Sequence, residues 1–511
     1  MDDSNSPKKT ITLFGLIMMI FTAIFGFANT TVAYEQMGLA SIIWYIFAAL
    51  LFFLPVGFMV AEYGAAFNEA KGGIYSWIEG AVGAKWAFIG TFMWLASWEV
   101  WLVSTSSKVW IPLSTMFAGH DVTQTWGLFG LSATQVIGIL AVLWIIFVTY
   151  TASQGIDKIS KISNFGGIMT IALQVIFFVL SLAVLFMSGF HTAEPINGLD
   201  TFIHSANPAF ASPLGMVSFI VYAIFAYGGL ESVGGVTDSM KNPKKDFPRG
   251  VLIAAVIMAL VYSLTIFCWA MSTNWNAVIA KGNVNLGNIT YVMMSNLGYQ
   301  FGSHIGLSSA AAIALGEWLA RFTGFDMFVL YMGAFFVLIY SPLKSFILGT
   351  PKDLWPSKVT KLNKHGMPAY AMWIQAAVVI VLILVVDMGG KNAKALYNVL
   401  TLMANVSTTV PYLFLVGAYP FFNMNKNIEK PYFFYKNKKA MWTVTSVVFL
   451  VLAFAIIFTL LQPIMEGAYT DALWTIIGPV VFGLVGFGLY YRYEHRSKDK
   501  TKAANTANAT D

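Results

Sequence analysis

The chain has 511 residues, 58% of them hydrophobic and only 11% charged, with a mean hydropathy of +0.69. A soluble domain carries about 25% charged residues, so these values exclude one and indicate a polytopic membrane protein with room for about twelve spans. The net charge of +6 is dispersed among loops and leaves no nucleic-acid footprint, and the single cysteine, Cys268, excludes an intramolecular disulfide.

Residues 1–9 form an inner tail in which Lys8 and Lys9 precede an apolar run. No small-residue cleavage site follows, so the run reads as an uncleaved first helix. Apolar stretches then predict twelve membrane spans near 10–34, 38–66, 84–117, 132–151, 160–189, 212–239, 248–272, 318–345, 367–387, 392–422, 440–462 and 470–492. With the N-terminus inside, 25 Lys and Arg fall on the inner side and 3 on the outer, which fixes the orientation and puts both termini in the cytoplasm. The piece Ile74-Tyr75-Ser76-Trp77 is too short to span and reads as interfacial or re-entrant. The outer segment 273–306 reads as an ordered loop with a short helix, and the tail 493–511 as disordered.

Two spans carry an interruption. In Phe225-Ala226-Tyr227-Gly228-Gly229-Leu230-Glu231 an apolar run meets two glycines and then a carboxylate, and Phe25-Gly26-Phe27-Ala28-Asn29 is its counterpart in span 1. Paired glycines weaken a helix by about 1 kcal/mol each relative to alanine. In hydrocarbon the freed backbone groups survive only where they line a cavity or meet a ligand. Gly26 and Gly228 are 202 residues apart, the room that five spans and their loops need. Interrupted helices in corresponding halves point to a transporter's substrate site.

Three segments carry a family likeness. They are Ala61-Glu62-Tyr63-Gly64-Ala65-Ala66 with Glu69-Ala70-Lys71-Gly72-Gly73-Ile74-Tyr75-Ser76-Trp77; Glu231 through Lys241-Asn242-Pro243-Lys244-Lys245-Asp246-Phe247-Pro248; and Ser341-Pro342-Leu343-Lys344 through Lys361-Leu362-Asn363-Lys364-His365-Gly366-Met367-Pro368. In order and spacing they resemble the amino acid-polyamine-organocation (APC) superfamily over essentially the whole chain. Within it the chain is most similar to the glutamate/GABA antiporter group, and there to a bacterial inner-membrane type. The resemblance implies an all-α LeuT-like fold. Spans 1–5 (10–189) and 6–10 (212–422) would be inverted repeats with broken spans 1 and 6, and spans 11 and 12 (440–492) would lie outside them. It also implies amino-acid-type substrates, with exchange or proton coupling. Acid-resistance members of that group have a C-terminal plug, whereas the short tail here lacks apolar anchors.

The residues alone define the expected site. The half-helix after Gly26 presents N–H groups to a carboxylate, and the half-helix before Gly228 presents carbonyls to an ammonium. Gly26, Phe27, Ala28, Asn29, Phe225, Ala226, Tyr227, Gly228 and Gly229 therefore form the expected substrate site, with Trp98, Trp101, Ser104, Asn398, Thr401 and Asn405 as further pocket candidates. No additional cation adjoins either interruption, which disfavours a second substrate carboxylate. Glu231 is the charged residue singled out for proton coupling or gating, against the alternative of a carboxylate that staples two helices. Glu62 at the inner mouth is read as a gate or structural residue. Lys108 lies on the face of span 3 opposite Glu99 and is expected to snorkel or pair with another helix, and Glu317 and Arg321 to form an exposed i, i+4 pair.

All six histidines fall in expected loops or the tail, and no H-E-x-x-H or G-x-S-x-G motif occurs, so neither an enzyme, a metal site nor a cofactor is expected. The expected partners are the bilayer and a small amino acid or related amine, with a homodimer left open and nucleic acid excluded. Antiport leads, proton-coupled symport is the alternative within transport, and a channel or membrane receptor is the other class.

Overall fold

The computed structural model describes residues 11–67, 73–155, 159–231, 240, 242–281, 283–389, 392–431, 433–465 and 467–507. The motif residues Glu69 to Gly72, the inner half of span 6 after Glu231, Lys158 and the side chain of Lys161 lie outside these.

Apolar runs of this length satisfy their backbone groups internally, and the described residues are accordingly helical, with only two isolated β-bridges. In order the helices are α1 (Leu13–Ile24), α2 (Phe27–Met37), α3 (Ser41–Ala48), α4 (Leu54–Ala66), α5 (Ile74–Val82), α6 (Ala84–Lys108), α7 (Trp110–Ala118), α8 (Ala133–Ser153) and α9 (Ile159–Met187). They continue with α10 (Pro213–Ser218), α11 (Ile220–Ala226), α12 (Pro243–Ser272), α13 (Ile289–His304), α14 (Ser309–Leu338), α15 (Ser341–Gly349), α16 (Ala369–Asp387), α17 (Ala393–Met424), α18 (Lys438–Met465) and α19 (Tyr469–Ala507). Local chemistry sets several starts. Ser132 and Gln135 form a reciprocal capping box at α8, and Asn392 accepts the Ala395 N–H at α17.

Among the described residues, ten helical stretches are long and apolar enough to cross a bilayer, and two apolar helices are shorter, Leu13–Ile24 and Pro213–Ala226. The short ones are the N-terminal parts of the two spans expected to be interrupted. Burial separates centre from periphery. The apolar windows of Ala84–Ala118 and Ala393–Met424 are 78% buried, against 28% for α18 and for Tyr469–Arg496. The first pair therefore forms the middle of the bundle, and α18 and α19 its rim. Helix α1 packs on α12, α2 on α12 and α13, and α11 on α3 and α17.

Two differences from the sequence reading stand out. The tail expected to be disordered from residue 493 continues α19 to Ala507, where an Ala- and Lys-rich run favours helix and Lys498 pairs with Glu494 at i, i+4. Arg321 does not pair with Glu317: it donates to the carbonyls of Phe117 and Ala118 at the end of α7, two of the last four that a helix leaves unsatisfied, and stands over the Trp318 ring.

Candidate functional site

Both interruptions hold glycines, and the second needs one. Gly26 is the N-cap of α2, in extended conformation and without a side-chain cap, and a Cβ there would lie 2.7 Å from Asn29 Nδ2. Helix α11 ends at Ala226, and Gly229 follows at φ +108°, a region that costs other residues about 1–3 kcal/mol.

The exposed peptide ends find partners in tyrosine hydroxyls. Tyr262 Oη, from α12, accepts the Gly26 N–H at 3.1 Å and lies 3.2 Å from Ile24 O and 2.9 Å from Ala226 O. Its one proton serves either carbonyl in turn. One hydroxyl thus joins the end of α1, the start of α2 and the end of α11. The second turn also lies close to the last turn of α1, since a Cβ added to Gly229 would stand 3.7 Å from Ala23 O. The chains meet again further on, where Ile11 and Met240 form a parallel bridge.

Around this junction the rings of Tyr45, Tyr227 and Tyr262 pack with centroids 4.9 to 6.0 Å apart, and Tyr45 donates to Asn29 O at 3.2 Å. On the far side Tyr412, from α17, accepts the Gly229 N–H at 2.8 Å and donates to Glu231 Oε2 at 2.5 Å. Trp94 Nε1, from α6, donates to Glu231 Oε1 at 3.1 Å. The buried Glu231 carboxylate therefore links the turn to the two central helices.

The expected residues separate into two groups. Gly26, Asn29, Ala226, Tyr227, Gly228, Gly229 and Glu231 come together at the junction, with Ala28 and Phe225 partly exposed beside it. The Phe27 ring turns away and packs on Phe177 and Trp269. Trp98 lies edge-on to Trp94, and Trp101 packs on Phe335 of α14. Thr401 Oγ1 accepts from Lys108 Nζ at 2.7 Å, and Asn405 is buried with no partner for Nδ2 among the described residues. Glu62 is remote from the junction: it accepts from Tyr419 Oη at 2.8 Å and from the backbone N–H groups of Phe434 and Tyr435. It anchors the segment between α17 and α18 and forms no ion pair among the described residues.

Sequence reasoning missed Tyr262, Tyr412, Trp94 and Tyr45. Each is one aromatic among many in an apolar span. A phenol deep in hydrocarbon needing a partner was the available signal.

The amino acid permease family profile matches residues 11–482. The chain is 51% identical to the inner membrane transporter YjeM of Escherichia coli (strain K12) over 486 residues, 95% of this chain and 96% of that one. It is 22% identical to the aspartate/glutamate permease AcaP of Lactococcus lactis subsp. cremoris, over 94% of each. It is also 22% identical to the glutamate/gamma-aminobutyrate antiporter of Lactococcus lactis subsp. lactis, over 96% of this chain and 92% of the other. With a match across nearly its whole length, the chain belongs to the amino acid permease family, as a multi-pass membrane transporter.

Proposed function

We propose that this chain is a secondary active transporter that exchanges amino acids across a bacterial inner membrane by alternating access. The reading takes twelve spans, α1 with α2 and α10–α11 with the segment after Glu231 being the two broken ones. Spans 1–5 and 6–10 form inverted repeats, and both termini are cytoplasmic. One observation carries it: the Tyr262 hydroxyl is reached from both interruptions, so the N-terminal end of α2 and the C-terminal end of α11 face one point. Opposed helix ends favour a carboxylate on one side and an ammonium on the other, each by about 0.3–2 kcal/mol, so the ligand is a zwitterion such as an α- or γ-amino acid.

Asn29, Phe225 and Tyr227 supply the adjacent side-chain surface. Glu231 is the proton-sensitive element: its two donors come from α6 and α17, so its charge state sets how firmly the turn is tied to the central helices. Proton-coupled symport uses the same scaffold and the same glutamate. Liposomes holding purified protein and preloaded with mixed amino acids, assayed with labelled ones with and without a pH gradient, test both modes. Exchange requires uptake that depends on internal substrate; uptake driven by the gradient alone supports symport; equilibration without saturation or counter-flow contradicts both.

A further inference from the structure

Two segments expected on the outer side of the membrane, the turn after span 3 and the stretch 273–306, come together in the structure. With the start of α14 they enclose a cavity of about 340 Å³, within the range of about 300–1,000 Å³ typical of small-molecule sites. None of its lining residues belongs to the junction at Gly26 and Gly228.

The cavity wall carries negative charge that the protein does not cancel. Asp121, in the loop after α7, is partly exposed there. Its Oδ1 accepts the N–H and the hydroxyl of Thr123 at 2.9 and 2.6 Å, and its Oδ2 accepts Asn288 Nδ2 at 3.2 Å. These neutral donors orient the carboxylate but bring no positive charge to it. Glu317 of α14 stands beside the same turn, since a Cβ added to Gly119 would lie 3.0 Å from its Cβ. Neither carboxylate forms an ion pair among the described residues. Arg321 also lies beside Gly119, but its guanidinium is committed to the carbonyls of Phe117 and Ala118, and it does not line the cavity.

Helix α13 supplies the rest of the polar wall. Tyr291 is only 3% exposed, yet its hydroxyl has no hydrogen-bond partner among the described residues, and it lies close enough to Asp121 to feel its charge. Asn296 gives its amide protons to Ser272 O at 2.6 Å and Thr273 Oγ1 at 3.2 Å, so its carbonyl oxygen is what it can offer a ligand. The Tyr299 ring completes this side, and Val292 and Ile313 form an apolar wall. An uncancelled carboxylate, free acceptors and aromatic rings recognise a cation, and the apolar wall takes its hydrocarbon part.

We propose that this cavity is a small-molecule site, separate from the junction, that binds a small organic ammonium with an apolar body. The sequence hid it because Asp121 and Tyr291 are 170 positions apart and meet only when the loop after α7 folds against α13.

The test is isothermal titration calorimetry on the full chain in lipid nanodiscs, with empty nanodiscs as the blank and two probes of equal shape, phenethylamine and 2-phenylethanol. The wild-type chain is expected to bind the amine at least about tenfold tighter than the alcohol. Asp121→Asn should weaken the amine by about tenfold or more and leave the alcohol unchanged. Ile313→Lys sets a competing ammonium at the cavity wall and should abolish binding of the amine. Ile313 is 52% exposed, so this variant keeps the test decisive should Asp121→Asn not be recovered folded. Equal affinity for the two probes, or no binding of the amine at about 10 mM, overturns the site. Wild-type affinity in Ile313→Lys overturns it as well, because the amine then binds elsewhere on the chain.

Discussion

Tyr262→Phe removes one oxygen and keeps the ring, whose centroid lies 4.9 Å from Tyr45, 5.1 Å from Phe25 and 5.4 Å from Tyr227. Packing is therefore preserved, and the effect falls on the hydrogen bonds. The Gly26 N–H loses its acceptor, and the carbonyls of Ile24 and Ala226 lose the donor they share. An orphaned buried polar group costs about 1–3 kcal/mol, and a hydrogen bond between neutral groups is worth about 1 kcal/mol net. The junction should lose about 2–4 kcal/mol. If 2 kcal/mol of this falls on the arrangement that presents both helix ends together, kcat/KM falls about 30-fold. Initial uptake rates in liposomes and thermal unfolding in detergent measure the two parts. The account predicts at least a tenfold loss of kcat/KM with a lower Tm. A variant with wild-type uptake and wild-type Tm would refute the claim that this hydroxyl joins the two interruptions.

Three further substitutions test the surroundings. Gly229→Ala forces a side chain to φ +108° and should destabilise the chain by about 1–3 kcal/mol, read as a lower Tm; an unchanged Tm would show that the turn relaxes freely. Glu231→Gln removes the titratable group and sets an amide NH2 or carbonyl against two donors, so uptake should fall and its pH profile flatten; a wild-type profile removes Glu231 from coupling. Glu194, in the loop before α10, accepts the Trp275 N–H at 2.6 Å, yet burial raises its carboxyl above the usual range. A raised folded-state value means stability that is present below the unfolded value and lost as pH rises through the folded one. Glu194→Gln should therefore gain Tm relative to wild type as pH rises from acidic to neutral, and a pH-independent difference would contradict the assignment.

How much of this was legible in the sequence depends on how the information is encoded. Interruptions are written locally, as glycines inside apolar runs, and the structure breaks helices at Gly26 and after Ala226, beside the residues that announced them. Glu231 was conspicuous because a carboxylate in hydrocarbon has no ordinary reason to be there. Its partners were not, since Trp94 and Tyr412 lie 137 and 181 residues away and look like any other aromatic in a span. Tyr262 is the same case. Glu62 shows a third kind of limit: its depth at the end of α4 was readable, but its use as an acceptor for two backbone N–H groups depends on where the segment after α17 folds.

The central claim is that a substrate is held where α2 begins and α11 ends. An experimentally determined structure with a transported amino acid bound tests it most directly. The account predicts its carboxylate against the N–H groups at the start of α2 and its ammonium against the carbonyls at the end of α11, within reach of Tyr262. A ligand bound away from these ends, or a first span running unbroken through Gly26, would contradict it.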